Sequence, residues 1–129
     1  MITVPFNRAT NLGSEEGFVI DAIRSGQLTG DGVYGKKCED RALDHFGFGN
    51  VLLTSSGTHA LEIAALLLDL LPGDEVIMPS FTFTSTATAF VLRGARPVFV
   101  DVRPDTMNMD ERCVEAAITA RTRAIVVVH

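Results

Sequence analysis

The sequence predicts an α/β fold built on a mostly parallel sheet with flanking helices. Three observations predict it. Short apolar runs recur at residues 50–54, 75–78, 96–100 and 123–128. Segments of helical length and pattern separate them, and Pro72-Gly73 and Gly94 punctuate the junctions. Continuous apolarity marks strands covered on both faces, and parallel strands need long crossovers, usually helical and right-handed.

Each element has its own reason. Residues 1–12 read as an extended arm with a turn. Ser14, Glu15 and Glu16 then open an amphipathic helix carrying Phe18, Val19, Ala22 and Ile23, which Gly26 stops. Residues 27–35 form a Gly-rich loop, and a charged helix over 36–46 ends at Gly47. The strand at 50–54 is followed by an apolar helix over 58–70, closed by Pro72 and Gly73. A strand at 75–78, a helix over 83–92 ended by Gly94, a strand at 96–100, a helix over 110–118 and a strand at 123–128 complete the series. This divides the chain into an arm with two helices, 1–48, and an α/β region, 49–129. The chain stops at His129, directly after an apolar strand. Ligands of such sheets bind beyond the carboxyl ends of the strands, so the stop falls where a functional loop should begin and predicts a truncated chain.

Composition narrows the function classes. The 129 residues suit one domain at most, and 47% apolar content with no Trp implies an aliphatic core. A net charge of −5 and no Lys/Arg run argue against nucleic acid as a partner. The apolar runs at 60–71 and 124–128 fall short of the roughly 18 residues of a membrane span, and no signal peptide is visible. Cys38 and Cys113 lack any metal-ligand spacing; packing explains both, no metal site is expected, and the default is a soluble, cytoplasmic protein.

The motifs differ in weight. Gly30 to Gly35 matches GxGxxG, but no strand precedes it and no acid stands about 20 residues on, so a dinucleotide role is the weakest of three readings. Thr54-Ser55-Ser56-Gly57-Thr58-His59 lies between an apolar strand and a helix start. Free backbone amides there seat an anion the size of one phosphate, while Ser56 or Thr58 serves equally well as a simple cap. Phe81 and Phe83 among the hydroxyls of residues 79–86 offer a ring to a planar cofactor, against a plain core role. Asp101 follows the third strand at the same edge, and His129 ends the fourth. His45 and His59 read as helical residues without partners; Arg93, Arg96 and Arg103 read as scattered, solvated charges.

Ser55-Ser56-Gly57-Thr58, Pro72-Gly73-Asp74-Glu75-Val76-Ile77 and Pro79-Ser80-Phe81-Thr82-Phe83 together resemble the DegT/DnrJ/StrS group of sugar aminotransferases. Residues 98–102 and 126–129 extend the likeness in order over essentially the whole chain. Residues 73–119 look most like members acting on dTDP-4-keto-6-deoxyhexoses for enterobacterial common antigen and lipopolysaccharide. The resemblance implies the N-terminal part of the large domain of a type I pyridoxal-phosphate (aspartate aminotransferase-like) fold, normally nearly three times as long and dimeric. It implies that Ser56, Gly57 and Thr58 hold the cofactor phosphate and that Phe83 stacks on the pyridine ring. Its substrates would be a nucleotide sugar and glutamate. Only Lys36 and Lys37 are present, and neither matches the family's Schiff-base lysine. No catalytic residue is therefore expected in this chain, which alone would be an inactive fragment with unpaired strand edges. A non-catalytic module binding phosphate or a partner chain is the alternative.

Overall fold

The computed structural model describes residues 4, 5 and 7–128. They form two compact units, Met1–Leu53 and Thr54–His129. The first holds two helices, α1 (Glu15–Ser25) and α2 (Val33–Phe46). Each ends on a left-handed glycine, Gly26 or Gly47, whose amide caps a carbonyl of the last turn. The predicted loop at 27–35 is shorter than expected. Gly32 is extended and serves as the N-cap, so α2 starts at Val33 and takes Gly35 into its first turn.

The second unit runs α3 (Gly57–Leu67), β1 (Glu75–Pro79), α4 (Thr84–Val91), β2 (Arg96–Val100), α5 (Glu111–Ala117), β3 (Thr122–Ile125). Its sheet has the order β2-β1-β3, and both pairings are parallel. The expected fold class holds. The chain passes from β1 outward to β2, then back past β1 to β3; a single crossover hand therefore places α4 and α5 on opposite faces. Side chains alternate along β1: Val76 and Met78 join Ala65, Ala89 and Phe90 in the core, so Ile77 points to the other face. Both sides of β1 are buried along its whole length.

Three expectations need correction. Residues 50–54 form no strand, because a strand exists only through a ladder and these residues pair with no described neighbour. The helix over 58–70 ends at Leu67, with Asp69 in a left-handed conformation (φ 48°) turning the chain toward β1. Coverage on both faces holds for β1 only: on the outer strand β2, Phe99 remains 55% exposed. The expectation for His129, and those for residues 1–3 and 6 of the arm, lie outside the described residues.

At the amino end of the sheet, Glu75 is buried and accepts hydrogen bonds from the Thr119 hydroxyl (2.6 Å) and the Arg121 guanidinium (2.8 Å). Arg96 stands 3.8 Å away. The Thr119 bond foremost, with the two arginines, holds its carboxyl below the usual range against the opposing effect of burial. The Arg96 side chain is solvated as expected, at 68% exposure, while it also stands beside this carboxylate.

Candidate functional site

Two helices aim their starts at one edge of the sheet. The Gly73 amide donates to the Gly94 carbonyl (3.1 Å), joining the connection after α3 to the one after α4. Both helices thus finish side by side at the amino ends of the strands. Eleven residues of α3 rise about 16 Å, much as the five of β1 do. The starts of α3 and α4 accordingly lie at the carboxyl edge, where open α/β sheets bind ligands.

At the start of α3, Ser56 is extended (φ −161°) and its hydroxyl accepts the His59 amide at 3.2 Å. The Ser56 carbonyl accepts the Ala60 amide (3.1 Å) and the Thr54 hydroxyl (2.9 Å). The Gly57 and Thr58 amides have no acceptor among the described residues. A methyl group on Gly57 would meet nothing within 4 Å, so the space before these donors is open. Two free amides at a positive helix end fit a phosphate. The Ser56 side chain itself is occupied as a cap. His59, expected to lack a partner, has one: its Nδ1 lies 2.6 Å from the Ser55 hydroxyl.

Phe83 is the N-cap of α4 and is 76% exposed. It borders a cleft of about 480 Å³ to which all three strand ends contribute. Phe81, Thr82 and Phe83 follow β1, Thr106, Met107 and Asn108 follow β2, and Val128 follows β3. The Thr82 hydroxyl is hydrogen-bonded to that of Thr86 at 2.8 Å. Phe83 is thus not a core phenylalanine. Asp101 turns its carboxylate onto the Val102 amide (2.8 Å), within its own loop.

The profile of the DegT/DnrJ/EryC1/StrS aminotransferase family matches residues 13–129. The chain belongs to this family. It is 48% identical over 88 residues to the UDP-2-acetamido-2-deoxy-3-oxo-D-glucuronate aminotransferase of Pseudomonas aeruginosa, covering 68% of this chain and 24% of that protein. A Streptococcus pneumoniae protein described as a sugar aminotransferase, solved in its PMP form, superposes with a TM-score of 0.85 at 35% identity, covering 98% of this chain and 32% of its own. The E. coli GDP-4-keto-6-deoxy-D-mannose-3-dehydratase, solved with hydrated PLP, gives 0.87 at 28% identity, covering 98% and 34%. The chain thus spans about a quarter to a third of the length of these relatives.

Against this DegT-family background, two features of the site stand out. Residues 106–108 escaped the sequence reading, since no glycine marks the turn that brings them to the cleft; Met107 itself is left-handed (φ 60°). Second, both lysines lie on α2, in the first unit. Lys36 pairs with Asp40 at 3.6 Å, and Lys37 sits 4.9 Å from the Tyr34 ring centre. The larger cavity, about 1010 Å³ between α1 and α2, is walled chiefly by Phe18, Val19, Ala22, Tyr34 and Phe46 and lacks the helix-start donors of the second unit.

Proposed function

We propose that this chain supplies the phosphate seat and the ring-stacking wall of a pyridoxal-phosphate-dependent sugar aminotransferase. The two open amides of Gly57 and Thr58 carry the reading, with Phe83 exposed at the same edge of the sheet. Gly57 and Thr58 bind the phosphoryl oxygens, and Ser56 keeps those amides presented by capping the helix. Phe83 orients the ring, a contact of about 1 kcal/mol. Pyridoxal phosphate, when bound, supplies the electron sink that amino transfer needs. The complete protein moves an amino group from glutamate to the 4-keto carbon of a dTDP-4-keto-6-deoxyhexose and works in the cytoplasm as a homo-oligomer. The likeness of residues 73–119 supports that substrate.

A second reading for the 129-residue chain taken alone is a non-catalytic module that binds phosphate or a partner chain; it rests on neither Lys36 nor Lys37 matching the family's Schiff-base lysine.

Gly57→Pro tests the seat. Proline is accepted at the first helical position, the extended Ser56 suits a following proline, and only the amide donor is lost. In the complete protein, pyridoxal phosphate should bind about ten- to a hundredfold more weakly by fluorescence titration, as expected for a lost hydrogen bond to a charged group. Unchanged affinity with an unchanged far-UV spectrum would sink the phosphate seat. Turnover of UDP-linked but not dTDP-linked keto sugars would overturn the proposed substrate.

A further inference from the structure

We infer that His59 is a positioning residue: it grips both serines ahead of Gly57 and so holds the Gly57 and Thr58 amides in place for a phosphate, without bringing a negative charge to them. The inference rests on the reading of residues 56–58 as the phosphate seat. The His59 ring places Nδ1 2.6 Å from the Ser55 hydroxyl, while its main-chain amide donates to the Ser56 hydroxyl at 3.2 Å. The Thr54 hydroxyl adds a third tie, to the Ser56 carbonyl. Both serines of the turn are therefore bound to the first turn of α3 through one residue. Nδ1 accepts in one neutral tautomer and donates in the other, and a serine hydroxyl can answer either, so the link survives both.

The choice of histidine is informative. With Ser56 as the N-cap, His59 is the third helical residue. That position ordinarily suits glutamate, which reaches back to the N-cap and favours the positive helix end. Here the side chain reaches one residue further, to Ser55, and α3 has no acid in its first turn. A carboxylate at this position would strengthen the helix and at the same time repel an anion held by the Gly57 and Thr58 amides. Helix stability and anion binding thus ask opposite things of position 59. Histidine serves the second.

The test compares pyridoxal phosphate with pyridoxal, which lacks the phosphate, in fluorescence titrations of the complete protein. His59→Ala should weaken binding of pyridoxal phosphate by about three- to fivefold, the effect of one exposed hydrogen bond, and leave pyridoxal unchanged. His59→Asn, which keeps a polar atom near the place of Nδ1, should restore most of the loss. Ser55→Ala should match His59→Ala, and the double variant should lose no more than either one, as partners in one contact do. His59→Glu should keep or raise the melting temperature of the cofactor-free protein yet bind pyridoxal phosphate about fivefold more weakly, a loss that shrinks in about 1 M salt. No loss or an equal loss of both ligands in His59→Ala, additive losses in the double variant, or wild-type affinity in His59→Glu overturns the inference alone. Wild-type affinity in Gly57→Pro overturns the phosphate seat and the inference with it.

Discussion

The two units contain similar helices and treat them differently. Helices α1 and α2 bury none of their residues, and Phe18, Val19, Ile23 and Phe46 are all more than half exposed. In the second unit Ala65, Ala89 and Phe90 are almost wholly buried over β1. Amphipathic pattern alone thus secures a helix but not a core. What makes the difference is a sheet whose central strand offers apolar side chains to both faces.

The largest expected effect is a direct contrast between the units. Phe90→Ala should cost about 3–5 kcal/mol in urea unfolding, the usual range for an aromatic ring lost from a packed site. Phe18→Ala should cost less than about 1 kcal/mol. Equal losses would mean that the first unit has a packed core after all. Glycines give a smaller contrast. Gly94 has φ 83°, and an added methyl group would approach Pro72 to 3.3 Å, so Gly94→Ala should destabilise by about 1–3 kcal/mol. Gly26, with φ 70° and empty space around it, should lose only about 1 kcal/mol on the same change.

The third contrast is in pH. Asp110 caps α5, and its bonds to Arg112 lower its carboxyl to about 2 despite partial burial. The folded state therefore binds this proton less readily than the unfolded chain does. The resulting stabilisation is complete above the ordinary carboxylate range near pH 4 and disappears as pH falls through about 2. Urea midpoints of the second unit should drop across that window, and Asp110→Asn should flatten the drop. At the start of α1, Glu15 is also held below the usual range, by the Leu12 amide rather than by an arginine. An identical acid response in the Asn variant would remove Asp110 as its source.

How far these features were legible depended on whether their cause was local. The strands β1 and β2 and the helices α4 and α5 follow from apolar runs bounded by Gly and Pro, and they lie within a few residues of the expected bounds. Residues 50–54 have the same composition but no described partner strand, and pairing is a long-range event that a local pattern cannot supply. Gly35 suggested a loop, yet an extended Gly32 starts the helix before it. In the candidate site, position alone left Gly57 and Thr58 open to a phosphate seat or a plain helix cap and Phe83 to stacking or core packing; the family resemblance supplied the roles proposed for them. Met107 was not legible, because its backbone conformation comes from hydrogen bonds across the loop rather than from its residue type.

The buried carboxylate of Glu75 has a consequence for which parts of this chain can vary. Its bonds gather the chain just before β3 and the first residue of β2 onto β1 at the rim remote from the cleft. The strands are pinned there like the ribs of a fan at its rivet. Loops at the open rim can then lengthen, shorten or change residue without disturbing strand registration.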